Sequence, residues 1–281
     1  MKIIANAKIN VYLKVLGKNK SGYHDLDSLM VPIDLCDFLE VEESDADKII
    51  GMDIPLESNL IYKAIQKVRN KFKVDRKIKV VIEKNIPSFA GLGGGSSDAA
   101  AMIKALNNLW DLKMKPEEMI DLASEIGSDV PFFINNKPAI ISGRGEKMKL
   151  VDVDEIQGIL IFDGLKFSTK DVFANMKEYS KKYEMAFEER NGTKKINDYY
   201  SLVVNDMEKG ISIYEESYMI EKQKQLLLES GAKVASMSGS GSSVFGLFEK
   251  NEDKKMKRAY NELKNQFQKV WIFKMVNTER N

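Results

Sequence analysis

The chain predicts an α+β fold in one compact unit with two lobes, and three observations carry that reading. With 281 residues and 43% apolar content it can bury one large core or two smaller ones. Alternating β-branched segments lie beside segments with apolar residues at helical spacing, in both halves of the chain. A glycine cluster, Gly91, Gly93, Gly94 and Gly95, runs from the end of one such strand directly into an alanine-rich helix.

Residues 3–16 are β-branched and apolar with partial alternation, a strand or bent strand pair before the turn at 17–22. Residues 28–33 and 38–43 read as two further short strands. Leu60, Ile61, Ala64, Ile65 and Val68 place an amphipathic helix over 59–72. In 77–83, charges alternate with Ile78, Val80 and Ile82, a half-buried strand. The glycine loop follows, then a helix from about Ser96 to Leu109 with Met102, Ile103, Leu106 and Leu109 as core. Pro116, Glu117 and Glu118 open another helix that Gly127 ends, and Pro131 is expected to terminate any helix at 128–133. Residues 151–158 separate the halves, giving domains 1–153 and 154–281. The second half predicts strands at 157–162, 233–236, 244–248 and 270–276, with helices at 169–181, 211–229 and 252–266. Residues 181–195, dense in charge, read as a solvated loop or helix end.

Composition removes several function classes. Lys and Arg number 43 against 42 Asp and Glu, a net charge of +1, so no general footprint for nucleic acid or an anionic membrane exists. Any anion must be bound locally. Cys36 is the single cysteine and His24 the single histidine, which excludes an intramolecular disulfide and a multi-histidine metal site. The first eight residues lack a signal-peptide run, and no stretch reaches the ~20 apolar residues of a membrane span. Cytoplasm is the expected compartment.

The glycine cluster is where a polyphosphate is expected to sit. Glycines let the backbone approach an anion, and the free amides and positive end of the following helix stabilise its charge. Ser96 and Ser97 add hydroxyls. A P-loop is excluded because the next lysine is Lys104, inside the helix, and a dinucleotide fold is excluded by the glycine spacing.

The run Pro87-Ser88-Phe89-Ala90-Gly91-Leu92-Gly93-Gly94-Gly95-Ser96-Ser97 resembles the phosphate loop of the galactokinase, homoserine kinase, mevalonate kinase and phosphomevalonate kinase superfamily, the GHMP kinases. Ala7-Lys8-Ile9-Asn10 and the run from Met237 to Gly246 are similar to its first and third motifs, so the resemblance covers about residues 5 to 248. Within it, Gly22-Tyr23-His24, the triple glycine before Ser-Ser-Asp-Ala-Ala, and Gly127-Ser128-Asp129-Val130-Pro131-Phe132-Phe133 resemble the 4-(cytidine 5'-diphospho)-2-C-methyl-D-erythritol kinases, as does Asn205-Asp206-Met207-Glu208.

The resemblance implies a two-lobed GHMP kinase fold, with a ribosomal protein S5 domain 2-like N-terminal lobe and a ferredoxin-like C-terminal lobe. It implies ATP-dependent phosphorylation of the substrate's 2-hydroxyl in the non-mevalonate isoprenoid pathway, with ATP and Mg2+ as cofactors and a small cytidine diphosphate substrate as partner. Residues 87–97 wrap the triphosphate, and the magnesium ligands stay unassigned. Asp129 matches the family's base; as an isolated aspartate it reads equally as a turn or helix cap. Lys8, otherwise a solvent-facing strand residue, takes an electrostatic role, holding Asp129 ionised or stabilising the alkoxide or transferring phosphoryl group. Tyr23 and His24 are assigned to cytidine against hairpin decoration, Phe173 to stacking against ordinary core, and Thr169 and Asn10 to substrate contacts. The loop at 238–243 closes the site or merely joins two strands. The run 163–169 lacks the proline common in the family, which leaves the far wall of the cytidine pocket undefined. Two alternatives remain: another GHMP kinase, for homoserine, mevalonate or a sugar, and a non-catalytic nucleotide-binding sensor.

Overall fold

The apolar run that opens the chain becomes one long strand, almost wholly buried from Ala5 to Leu13, in a computed structural model that describes residues 1–20, 22–183, 188–190, 193–196 and 198–276. In chain order the elements are β1 (Lys2–Lys18), β2 (His24–Ser44), β3 (Lys48–Ile50), α1 (Leu60–Phe72), β4 (Lys77–Glu83), α2 (Gly94–Leu109), α3 (Pro116–Ser124) and α4 (Val130–Asn135). There follow β5 (Ala139–Gly143), β6 (Lys147–Leu150), β7 (Asp152–Val153), β8 (Gln157–Phe162), α5 (Thr169–Asn175), β9 (Glu188–Arg190), β10 (Thr193–Ile196), β11 (Val204–Asn205) and α6 (Met207–Gly210). The chain ends with α7 (Tyr218–Glu229), β12 (Val234–Met237), β13 (Val244–Phe248), α8 (Asp253–Leu263) and β14 (Lys269–Lys274). Two compact units result, one of Met1–Ala7, Leu35–Ser88 and Gly93–Asn136, the other of Lys8–Asp34, Phe89–Leu92 and Lys137–Asn281.

In the first unit, β4 pairs antiparallel with the end of β2, Phe38 opposite Glu83 and Ser44 opposite Lys77, and parallel with β3. Ile78, Val80 and Ile82 all point into the core, as the alternation requires. Asn59 caps α1 by accepting from the Ile61 amide at 2.9 Å, and Ile61, Ala64, Ile65 and Val68 form its buried face. Helix α1 packs on α2, which packs on α3 and α4. On α2, Ala99, Ala100, Met102, Ile103 and Leu106 are buried.

In the second unit, β2 pairs antiparallel with β5 from Leu26–Gly143 to Met30–Ala139, and β1 pairs parallel with β11 at Tyr12–Val204 and Leu13–Asn205. Strands β12, β13, β8 and β14 form an antiparallel sheet in that order. Counting β8 as the first strand, the chain runs strand, helix, strand, strand, helix, strand, and the sheet order is 2-3-1-4. This is the ferredoxin-like arrangement. Its core gathers Ile159, Ile161, Val172, Leu227, Val244, Phe248, Met256 and Leu263.

Four expectations are corrected. The two short strands at 28–33 and 38–43 are parts of one, β2, because the acidic residues between them bind amides instead of breaking the strand. Asp34 accepts from Lys274 N, and Asp37 accepts from Asn85 N and Ile86 N. Pro131 does not end a helix; it lies in the first turn of α4, where a missing N–H costs no bond. Helices expected over 169–181 and 211–229 are shorter, with 3-10 turns at Ile211–Ile213 and Glu215–Ser217 ahead of α7. The charged stretch 181–195 contains β9 and part of β10, paired antiparallel; residues 184–187 and 191–192 lie outside the described residues.

Candidate active site

Four separate stretches of the second unit meet around Lys8. Its side chain, expected either as a surface residue or as a functional one, is 4% exposed. The ammonium donates to Asn10 Oδ1 at 2.6 Å and to Gly91 O at 2.8 Å, and its backbone N–H donates to Leu92 O at 3.0 Å. Asn10, also buried, donates from Nδ2 to Ser28 Oγ at 2.8 Å, and Ser28 donates to Tyr12 O. Burying a lysine is costly unless its donors are met. Here acceptors on β1 and on the phosphate loop hold the charge in one place.

The 238–243 loop is seated on residues 90–91 of the phosphate loop. Ser238 Oγ donates to Gly91 O at 3.0 Å, and Ser243 N donates to Ala90 O at 3.2 Å. Gly91 has φ +73, and a Cβ there would lie 1.9 Å from Ser238 O. No other residue fits. Phe89 takes φ +58 and is 67% exposed. The glycine loop itself is continuous into the first unit, where Gly93, at φ +71, ends it and α2 begins at Gly94. Ser97 N turns back to Gly93 O at 2.9 Å, so the amides of Gly94, Gly95 and Ser96 are the open donors of the first turn. Gly95 is exposed, Ser96 half-buried and Ser97 buried. Pro87 is half-buried and Ser88 exposed.

Asp129 is half-buried and immediately precedes α4, in a turn closed by Val130 N donating to Gly127 O at 3.2 Å. His24 and Phe173 are brought together, their rings stacked 4.8 Å apart at 15°, with Tyr179 5.9 Å from His24. Burial, aided by Lys18, holds the His24 imidazole below its ordinary pKa, and its Nε2 is buried with no hydrogen-bond partner among the described residues. That ring is neutral near pH 7 with a free acceptor or donor. Tyr23 is not part of the stack; it is 58% exposed, with the Arg144 guanidinium 4.8 Å over its ring. Thr169, exposed, shares a 2.7 Å hydrogen bond with Ser240 of the second glycine loop.

Some supporting residues were not read from the sequence as such. Asn205 donates to Met237 O and Gly239 O, both at 2.8 Å, and accepts from Met207 N. Glu208 accepts from Ser236 Oγ and Met237 N and pairs with Lys224 at 2.6 Å. The Asn-Asp-Met-Glu run is therefore the frame of the second glycine loop. In the first unit, Lys84 is bound by two fully buried carboxylates, Asp37 and Asp98, and its ammonium is 3.5 Å from where a Gly94 Cβ would stand. Burial pushes Asp98 up to about 7.

Comparison with known proteins places the chain. Residues 59–137 match the model of the GHMP kinase N-terminal domain, and residues 194–268 that of the GHMP kinase C-terminal domain. A 4-diphosphocytidyl-2-C-methyl-D-erythritol kinase of Caldanaerobacter subterraneus subsp. tengcongensis is 38% identical over 98% of this chain and 97% of its own. The chain belongs to that family. The corresponding kinase of Clostridioides difficile is 35% identical over 90% of this chain and 88% of its own. A crystal structure of 4-(cytidine 5'-diphospho)-2C-methyl-D-erythritol kinase superposes with a TM-score of 0.83 at 26% identity, covering 99% of this chain and all of that one. The mevalonate kinase of Methanococcus jannaschii, at 15% identity and a TM-score of 0.67, shares the two-lobed fold. This family member is an α+β small-molecule kinase by fold and relationship, and no described helix is long and apolar enough to cross a membrane.

Proposed function

We propose that the protein transfers the γ-phosphoryl group of ATP to the 2-hydroxyl of 4-(cytidine 5'-diphospho)-2-C-methyl-D-erythritol, a step of the non-mevalonate isoprenoid precursor pathway, in the cytoplasm. The observation that carries this reading is the Lys8 ammonium held against Gly91 O of the phosphate loop, because it places a fixed positive charge beside the expected position of the phosphates.

In the proposed reaction, amides between Gly91 and Ser97 hold the triphosphate, and the positive end of α2 offsets its charge. Asp129 takes the proton of the 2-hydroxyl as its oxygen attacks the γ-phosphorus. The bond to the β,γ-bridging oxygen breaks and ADP leaves. Lys8 stabilises the negative charge that develops on the attacking oxygen and the transferring group. Asn10 orients that ammonium and borders the methylerythritol end. The backbone beside His24 reads the polar edge of cytosine. A base sandwiched between His24 and Phe173 would need roughly twice the ~3.5 Å van der Waals separation. Their 4.8 Å spacing leaves the base against the outer face of the stack.

Among the described residues no group of three or more His, Cys, Asp or Glu side chains is placed to hold a metal. Mg2+ bound mainly through phosphates needs only one or two protein oxygens, which the Ser96 and Ser97 hydroxyls can supply. When bound it neutralises phosphate charge. The family division is proposed at 153/154, between the two matched domain models.

Incubation with ATP, magnesium and the cytidine substrate, with ADP as readout, tests the activity. Release only with mevalonate or homoserine makes it a different GHMP kinase; binding without release makes it a sensor. Asp129→Asn and Lys8→Ala are expected to lower kcat by about 100-fold or more with ATP affinity nearly kept. Near-wild-type turnover in both removes them from the mechanism.

A further inference from the structure

One half-buried amine has no place in the reaction above. Lys104 lies in the third turn of α2, and its Nζ donates to Phe133 O at 2.8 Å. It joins no ion pair among the described residues, and burial alone brings its ammonium down to about 8. A largely desolvated charge without a carboxylate is disfavoured, and a methionine would keep the volume without the charge but leave Phe133 O unpaired. What the lysine supplies instead is a directed, charge-assisted bond to one carbonyl.

That carbonyl belongs to α4, which has six residues and is too short to hold its own geometry in water. Its last-turn carbonyls need outside partners. Phe132 O accepts from Asn136 N at 2.9 Å, and Phe133 O accepts from Lys104. The Phe132 and Phe133 rings anchor the helix laterally, each 2% exposed and packed edge to face at 5.1 Å. Apolar contacts tolerate sliding along the axis; a hydrogen bond to one carbonyl does not. Asp129 directly precedes this helix, about 6 Å along the axis from Phe133 at 1.5 Å per residue. Lys104 stands on the same helix as Gly94, Gly95, Ser96 and Ser97, seven residues beyond Ser97, or about 10 Å.

We propose that Lys104 is a positioning residue for Asp129: by binding Phe133 O it fixes where α4 stands along α2, and so registers the carboxylate against the phosphate-binding turn at the start of α2. The inference rests on the assignment of Asp129 as the base. A displacement of about 1 Å at a reacting group costs on the order of 100-fold in rate, which is the scale of effect a sliding α4 would produce.

The test compares Lys104→Met, which removes charge and donor, with Lys104→Arg, which keeps both. ADP release is measured with ATP and the cytidine substrate, together with thermal melting and amide hydrogen exchange at 130–136. Lys104→Met is expected to remain folded at the assay temperature, melting a few degrees below wild type because Phe133 O loses its donor, and to keep both KM values within about threefold. Its kcat is expected to fall by roughly 10- to 100-fold, with faster exchange in α4, and Lys104→Arg is expected to recover much of the loss. A Lys104→Met kcat within twofold of wild type overturns the proposal, as does a fall in kcat fully matched by a fall in folded fraction. Should Lys104→Met not fold, Lys104→Gln serves, too short to reach Phe133 O; unchanged turnover in that variant also overturns it. Asp129→Asn is assayed alongside: if it keeps wild-type turnover the base assignment itself fails, whereas a slow Asp129→Asn with a fast Lys104→Met rejects only the positioning role.

Discussion

Gly95→Ala separates what the glycine loop does for folding from its proposed role toward ATP. Gly95 is the second residue of α2, is exposed, and a Cβ there would touch only Leu60 Cδ1 at 3.8 Å, an ordinary contact. The fold therefore gains from alanine, by about 0.5–1 kcal/mol through helix propensity and a less flexible unfolded chain. In a chain of this size that raises Tm by roughly 1 to 4 °C. ATP is expected to suffer, because the new methyl group stands on the surface where the Gly94, Gly95 and Ser96 amides open. Displacing a phosphate oxygen from one such donor forfeits a charge-assisted hydrogen bond of about 1.5–3 kcal/mol, or roughly 10- to 150-fold in Kd. Calorimetry with ATP and magnesium, beside a melting curve, reads both numbers. A variant that melts higher and binds ATP as tightly as wild type would refute the cradle. Gly91→Ala is the contrasting case: its Cβ would stand 1.9 Å from Ser238 O, so melting temperature and kcat/KM both fall together. A Gly91→Ala protein that melts like wild type contradicts the seating of one glycine loop on the other.

Asn205→Leu removes the donor for Met237 O and Gly239 O and is expected to cost about 2–5 kcal/mol, read by denaturant unfolding. Asp98 carries a folded-state value of about 7, above its unfolded 3.8, so the folded state binds the extra proton between those values and stability falls as pH rises through that window. Asp98→Asn is accordingly expected to raise Tm relative to wild type more at pH 8 than at pH 5; an equal difference at both refutes it. His24 is shifted the other way, its folded value below the ordinary 6.5, so its contribution is full above 6.5 and is lost as pH falls below it. His24→Asn should flatten the dependence of Tm on pH between 5 and 7.

Local periodicity and motif chemistry were legible where neighbours in sequence decide the outcome. The alternation of Lys and β-branched residues located β4 to the residue, and the apolar stripe Leu60, Ile61, Ala64, Ile65 and Val68 located α1. Helix α2 begins at Gly94 rather than near Ser96, because the left-handed turn at Gly93 and the packing of Gly94 on Ile86 outweigh the poor helix propensity of glycine. Local pattern does not mark β5 and β6 and splits β2 into two, since pairing partners far along the chain decide both. The same division holds at the site. Lys8, Asn10, the glycine run and Asp129, the positions proposed to carry the chemistry, each sit in a contiguous sequence motif. Ser28, Asp37, Lys84 and Lys104 have roles set by groups many positions away, so nothing in their immediate context marks them.

The short run Asn205-Asp206-Met207-Glu208 binds three places at once: Val15 N on β1 through Asp206, the carbonyls of Met237 and Gly239, and Lys224 on α7 through Glu208. A mutational survey ranking positions by nearness to bound nucleotide would pass over these side chains, yet damage there would propagate to the loop that braces Gly91. Resistance to an active-site inhibitor has an indirect route through this scaffold, and a compound wedged beneath it would disable the enzyme without competing with ATP.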